Sequence, residues 1–264
     1  MEFTIRRNRD DGWNMPHSHL HDRLELLLSL SEGGSFFVQD NRHALRRGTL
    51  ILMQDQVLHH SIATEGAYDR YVVHIPRQTL LAASTPQTDF LELFDMNACI
   101  QLDEASFRQV CALMEQCLTK STAPGDDVLR NCAFLSLLVT VGRLLNQPTA
   151  YPVAPEGLSN SVRCALDWIN DHLTEELPLD DLAEHCYVTK YHLCRRFKEE
   201  TGFTIGQYML RLRLLRAAEL LRAGESVQRA AEESGFHNYN NFIRAFGRLM
   251  GQSPGRYQRL NRQR

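Results

Sequence analysis

The stretch from Pro178 to Tyr257 constrains this 264-residue chain most, because one pattern occurs there twice. The first copy reads LDDLAEHCYVTKYHLCRRFKEETG (179–202) and the second SVQRAAEESGFHNYNNFIRAFGRLMG (226–251). In each, a short helix carries a small residue, Ala183 or Ala230–Ala231, where a second helix must cross closely. A turn follows, and a capping residue then opens a longer helix: Thr189 in the first copy, His237 or Asn238 in the second. Leu193 with Phe197, and Phe242 with Phe246, stand four apart and so share one face, which must be the inward one. The outward faces then carry Tyr191, Cys194, Arg195 and Lys198, and Tyr239, Asn240, Ile243 and Arg244. Boundaries follow: a first helix-turn-helix at about 179–200, a connecting helix at about 204–223 capped by Thr204, and a second helix-turn-helix at about 226–248 capped by Ser226. The connecting helix turns Ile205, Tyr208, Met209, Leu212, Leu215, Ala218, Leu220 and Leu221 inward, with Arg211, Arg213, Arg216 and Arg222 around the rest. Ser253-Pro254 opens a closing helix with Tyr257 inward. An earlier helix bears Val162, Leu166, Ile169 and Leu173 behind a cap at Ser159 or Ser161, and Asp180 or Asp181 opens the next.

The chain before this stretch has a different period. LELLLSL, GSFFVQD, HALRRGTLILM and DRYVVHI are short aliphatic or β-branched runs punctuated by Gly, Asp and Asn, which predicts a β-sandwich or barrel. His17, His19 and His21 are two apart and would share a face of an extended segment, with Glu25 beyond them. Three imidazoles and a carboxylate are ligands a transition metal accepts. From Asp103 the spacing becomes helical: Phe107, Val110, Cys111, Met114, Cys117 and Leu118, then Val128, Leu129, Cys132, Leu135, Ser136, Leu138, Val139 and Leu145. The second of these helices is apolar over more than one contact face needs, so it is either buried between the β-domain and its sister helix or meets another subunit. Residues 146–160 carry three prolines, one glycine and no periodicity, and read as a semi-rigid linker. The expected organisation is a domain at 1–146, with helices at about 103–146, a linker at 147–160 and an all-α domain at 161–264. The fold class is α+β.

Two resemblances attach to these residues. His19, His21 and Glu25, with Gly48 and His59, resemble the pattern of the cupin domain found at the N-terminus of many sugar-responsive bacterial regulators. Thr49 stands where an acidic residue is usual, Gln54 or Asp55 where proline is common, and His17-Ser18-His19 is an equally good register for the start. The resemblance implies a small-molecule pocket, for which His19, His21, Glu25, Arg47, His59 and His74 are the candidates; were a metal held, its ligands would be His19, His21, Glu25 and His59. Further on, Gly235-Phe236, Phe242, Arg244, Phe246, Gly251, Ser253-Pro254 and Tyr257 are similar to the C-terminal signature of the AraC/XylS family of transcription regulators. Leu182-Ala183, His192-Leu193, Arg195, Phe197-Lys198 and Gly202 match its first half, so the likeness spans about 100 residues. Gly247 replaces a usual Lys or Arg, a phosphate contact Arg248 would take over, and Gln258 stands where Arg is common.

That family places two recognition helices in successive major-groove segments, near ~34 Å or one DNA turn apart. Transferred position by position, base readout falls to Tyr191, Cys194 and Arg195, and to Tyr239, Asn240 and Arg244, with Lys190, Lys198 and Asn238 on phosphates. Arg195 suits guanine and Asn240 adenine, each by a bidentate pair. The competing assignment for Arg195 and Arg244 is a clamp on acidic residues of their own domain. The resemblance further implies a homodimer and contact with RNA polymerase.

Charge agrees with a polyanion partner for the C-terminal half. From Ser159 onward there are 16 Lys/Arg and 13 Asp/Glu, a net +3; before it, 13 and 19 give −6. Seven cysteines, odd in number and without a CxxC pair, read as reduced thiols rather than a zinc site, and no cofactor is expected. No apolar run approaches the ~20 residues of a membrane helix, and the N-terminal residues lack a secretory apolar core, which places the protein in the cytoplasm. The resulting expectation is a non-enzymatic, DNA-binding transcription regulator, an activator of a catabolic operon responding to a small effector such as a sugar. A constitutive regulator whose β-domain only dimerises, and a cupin-type metalloenzyme, are the alternatives.

Overall fold

The computed structural model describes the chain apart from residues 12–22, 39, 55–56, 63–66, 96–97, 119–122, 147–150, 154–156 and 262–264. His17, His19, His21 and Asp55 therefore lie outside the described residues. Among the described residues, the strands are β1 (Thr4–Asp11), β2 (Arg23–Ser29), β3 (Ser35–Val38), β4 (Asn41–Ala44), β5 (Thr49–Met53), β6 (His59–Ile62), β7 (Ala67–Pro76), β8 (Cys99–Gln101) and β9 (Tyr151–Pro152). They form two antiparallel sheets, one of order β1-β7-β2-β5-β8-β9 and a smaller one of order β4-β3-β6. Interleaved are α1 (Arg77–Ala83), α2 (Glu104–Leu118) and α3 (Asp126–Leu145).

Strand alternation divides the large sheet's two faces. Leu24, Leu26 and Leu28, with Leu50, Leu52, Tyr71, Val73 and Ile75, pack against α2 and α3. Leu27, Ile51, Met53 and Tyr68 point the other way and meet Phe36 and Val38 of the small sheet. The run HALRRGTLILM, read as one strand, is two strands in different sheets. Gly48, at φ +86, makes the corner between them; a Cβ there would lie 2.9 Å from Gln101 and 3.3 Å from a backbone oxygen. The segment read as linker contributes β9, which pairs with β8.

Helix α2 begins where Asp103 accepts a hydrogen bond from the Ser106 N–H at 2.7 Å, as its sequence position predicts. Helix α3 has 20 residues and is long and apolar enough, by length and composition alone, to cross a membrane, although Asp126, Asp127, Arg130 and Arg143 keep it from being one apolar run. Ala133, Phe134, Leu137, Leu138, Val141 and Leu144 face the sandwich core. Val128, Leu129, Cys132 and Val139 lie on its exposed side.

The C-terminal half is helical: α4 (Asn160–Asp171), α5 (Leu179–His185), α6 (Lys190–Thr201), α7 (Ile205–Arg222), α8 (Val227–Glu233), α9 (Tyr239–Met250) and α10 (Pro254–Asn261). Two cores share α7. Ile205 and Tyr208 join Val162, Leu166, Ile169, Leu182, Leu193 and Phe197 in the first. Leu214, Ala217, Ala218 and Leu221 join Ala230, Ala231, Phe242, Phe246 and Tyr257 in the second. Each such fully buried ring contributes ~1.5–3 kcal/mol. Leu214 and Ala217 were absent from the sequence-predicted inward set because a helix serving two cores turns different faces to each. A capping box, with Thr204 accepting from Gln207 N–H and Gln207 accepting from Thr204 N–H, fixes the start of α7.

Three details differ from expectation. Ser159 occupies the N-cap position of α4 as expected, but its side chain makes no capping bond; instead its N–H donates to buried Glu200 at 2.8 Å. Helix α5 opens at Pro178, with Asp180 and Asp181 in its first turn, where they complement the helix dipole. Arg213 donates to the carbonyls of Leu173 and Glu175 at 2.7 and 2.6 Å, so it ties α7 to the α4–α5 loop rather than decorating a surface.

Candidate nucleic-acid interface and ligand pocket

The two helix-turn-helix units are built alike. In the first, α5 ends at Cys186, Tyr187 takes a left-handed turn at φ 56, and Val188 N–H returns to the Ala183 carbonyl at 3.0 Å. In the second, α8 ends at Ser234, Gly235 takes the same turn at φ 83, and Phe236 N–H returns to the Ala231 carbonyl at 3.0 Å. Thr189 then caps α6 by accepting from His192 N–H, and Asn238 caps α9 by accepting from Asn241 N–H at 2.9 Å. The apolar pairs point inward: Leu193 is 1% exposed, and Phe197, Phe242 and Phe246 are fully buried.

The opposite faces are open. Tyr191 is 80% exposed and Tyr239 48%, and Arg195, Lys198, Asn240 and Arg244 are exposed. Arg195 has no ion pair among the described residues; its neighbour Arg196 pairs with Glu200 at 2.7 Å instead. Among the described residues, Arg244 donates to Asn241, at 2.6 Å. The acid-clamp alternative for these two arginines therefore finds no partner among the described residues. Three candidates stand differently from the rest. Cys194 is half-buried against the first core. Lys190 Nζ donates to Asp180 at 2.9 Å, and that hydrogen bond, with the carboxylate's charge, raises the lysine's pKa. Asn238 spends its side-chain oxygen on the α9 cap, leaving its amide N–H₂ to donate. Tyr187 was missed. It is 96% exposed in the turn just ahead of α6, and no sequence pattern marks a tyrosine for φ > 0.

Of the pocket candidates, Glu25, His59 and His74 come together between the sheets. His74 Nε2 lies 3.1 Å and His59 Nε2 3.6 Å from the same Glu25 oxygen. His59 Nδ1 faces the Val57 carbonyl at 2.9 Å, which assigns the proton to that nitrogen, since a carbonyl only accepts. Phe36 stacks on the His59 ring at 5.7 Å. Residues the sequence reading passed over complete the group: Tyr68, whose hydroxyl pairs with Ser61 at 3.3 Å and is pushed up to about 12 by burial, and buried Arg70, whose guanidinium lies 4.1 Å from the Tyr68 ring centroid. Tyr68, Arg70 and His74 fall on alternate positions of β7, so the period-2 rule applied from His74 would have found them. Arg47 does not join them: it is held outside by Glu104 at 2.6 Å and lies over Phe107. No group of three or more His, Cys, Asp or Glu side chains arranged to hold a metal occurs among the described residues, and His19 and His21 of the candidate ligand set lie outside them.

Comparison with known proteins agrees with both halves. Residues 2–138 match the AraC-like ligand binding domain and residues 182–260 a helix-turn-helix domain. The multiple antibiotic resistance protein MarA of Escherichia coli K12 is 33% identical over 104 residues, which is 39% of this chain and 82% of MarA. The transcriptional activator RhaR of Mannheimia succiniciproducens is 24% identical over 243 residues, 91% of this chain and 86% of RhaR. The activator RhaS of Escherichia coli SE11 is 33% identical over 148 residues, 56% of this chain and 51% of RhaS. With a ligand-binding half and a tandem helix-turn-helix half both matched, the chain belongs to the AraC family of DNA-binding transcription regulators and is not an enzyme.

Proposed function

We propose that this protein is a cytoplasmic transcription activator of a catabolic operon, reading two successive major-groove segments and responding to a polar small molecule. The open outward faces of α6 and α9, each set on a capped helix over a buried pair, carry this reading. Tyr191 and Arg195 read bases from α6, with Cys194 reduced to a thymine-methyl contact by its burial; Tyr239, Asn240 and Arg244 read from α9. Lys198, Lys190 and the Asn238 amide hold phosphates. DNase footprinting at physiological salt tests this: the expected protection is roughly 20 base pairs in two blocks, and an unprotected operon-upstream region refutes it.

The group around Glu25, His59, Tyr68, Arg70 and His74 suits a hydroxyl-rich effector such as a sugar, since carboxylate, imidazole and guanidinium pair with hydroxyls while Phe36 offers an apolar wall. A thermal-shift screen of sugars and sugar phosphates on the full chain tests it, because a ligand bound only by the folded state raises the midpoint. A screen without any stabilising ligand favours a constitutive regulator. The exposed stripe Leu129, Cys132, Val139 on α3 supports pairing with a second copy of the chain. Leu129→Glu is expected to yield a monomer by sedimentation equilibrium, and an unchanged mass refutes that interface. Contact with RNA polymerase completes the activator reading and is tested by in vitro transcription from the footprinted promoter.

A further inference from the structure

The small sheet β4-β3-β6 faces two ways, and its faces alternate residue by residue. On β3, Phe36 points into the sandwich and stacks on His59, whereas Phe37 points out and is fully buried in the core of the first helix-turn-helix. Before and along β6, Val57 and His59 face in while Leu58 and His60 face out. Phe37 and His60 are direct cross-strand partners, as are Val38 and His59 on the inner face. The outer pair meets Phe203 and Tyr208: Phe37 lies 6.0 and 6.4 Å from these rings, and His60 lies 5.5 Å from Phe203. Gly202 lets the surfaces close, since a Cβ there would stand 2.0 Å from the His60 ring.

Asp40, in the β3–β4 turn at φ 62, adds a polar anchor. Its carboxylate accepts from the Tyr208 hydroxyl of α7 and from Asn170 of α4 at 3.0 Å, bridging two helices of the same unit. Beyond Tyr208 the halves part around a cavity of about 570 Å³ between Arg77 and Asp95 on one side and Glu219 and Arg222 on the other. Among the described residues, no hydrogen bond or ring contact links the sandwich to α8 or α9. The contacts sit at the C-terminal end of α6, away from the reading residues Tyr191 and Arg195, so the grip orients the first motif without covering it.

We infer that the β3–β6 strand pair is the coupling plate of the protein: it grips the first helix-turn-helix alone, through Phe37, His60 and Asp40, and transmits changes around Glu25 and His59 to that motif. The inference rests on the reading that the sandwich interior senses the effector, but its test needs no effector. Hydrogen exchange by mass spectrometry on the full chain compares α4–α6 with α8–α9 in four backgrounds. Asp40→Gly keeps the left-handed turn and removes the carboxylate; Tyr208→Phe keeps the ring. Tyr208→Phe, which loses one charge-assisted hydrogen bond, is expected to speed exchange in α4–α6 on the order of 10-fold, and Asp40→Gly, which also loses the bond from Asn170, by at least as much, with α8–α9 unchanged and the double variant no faster than the faster single. Glu25→Gln, or His74→Gln as a second interior probe, is expected to alter exchange in α4–α6 in the native background and to lose that effect beside Asp40→Gly. Equal responses in both motifs, additive Asp40 and Tyr208 effects, or an interior probe that acts identically in both backgrounds would overturn the coupling plate. If no sugar stabilises the protein but this cycle shows coupling, the effector reading fails while the plate stands.

Discussion

Arg195 and Tyr187 show how one side chain's surroundings separate recognition from folding. Arg195 sits on an exposed helix face without an acidic partner among the described residues, while Arg196, one position on, is committed to Glu200. Truncating Arg195 to alanine is therefore expected to leave the unfolding midpoint unchanged. It should weaken binding by ~1–3 kcal/mol at the base pair it reads, whereas Lys198→Ala should weaken all sequences alike and reduce the salt slope by about 1. Fluorescence anisotropy over a salt series with permuted sites distinguishes them. Equal losses on every sequence would make Arg195 a phosphate contact. Tyr187 is the opposite case, a tyrosine in a backbone region that costs a non-glycine residue about 1–2 kcal/mol. Tyr187→Gly should raise stability by up to about 1 kcal/mol, after glycine's greater unfolded-state entropy is subtracted. A fall in DNA affinity beside that gain would show that the strain serves contact with DNA, and unchanged affinity would make it a tolerated turn residue. The sequence revealed the inward residues of this half well, because Leu193, Phe197, Phe242 and Phe246 obey a fixed spacing over capped helices. It placed Tyr187 in the turn but did not reveal its left-handed backbone, since φ at a turn depends on how two packed helices meet.

At the scale of elements, α9 and the β-strands differ in how far local sequence decides the outcome. Helix α9 carries its own start signal in Asn238 and its own stop in Gly251, at φ 68. Asn238→Ala removes the acceptor for the Asn241 N–H and should cost ~1 kcal/mol. The loss should concentrate in exchange from α9 with α6 unaffected, and a uniform loss across both motifs would deny the cap a local role. The sandwich is less local. The split of HALRRGTLILM into β4 and β5, in different sheets, turns on Gly48 fitting against Gln101 and the Leu102 carbonyl, residues more than fifty positions away. Glu25, His59 and His74 were named from the sequence and come together, whereas Tyr68 and Arg70, on alternate positions of β7 with His74, were not named. It was not legible that Arg47 would be drawn outside, because Glu104 belongs to a helix that the strand pattern cannot place. Helix α3 lies between these cases: its apolar excess was readable, and the structure divides it into a buried face and an exposed stripe.

For the whole molecule, the decisive property is that the distance between the two reading faces is set by one continuous helix. Helix α7 has 18 residues, a length of about 27 Å at 1.5 Å per residue. It is capped at its start by a reciprocal box, and its two halves are buried in different cores, so neither motif can slide along it. The first motif is further held by the sandwich through Asp40, Phe37 and His60. Such a molecule reads a fixed separation along DNA rather than two independent half-sites. Joining two modules rigidly raises affinity over one module by about 10²–10⁴-fold only when both engage at once. Inserting five base pairs between the two protected blocks turns the second groove segment half a turn away, beyond the reach of α9. The expected outcome is a loss of about 10²-fold or more in affinity, with protection retained over one block. Inserting about ten base pairs should not restore binding, because the added ~34 Å exceeds the span α7 provides. Retained affinity at either insertion would mean that the motifs separate in solution, and that α7 does not set the spacing.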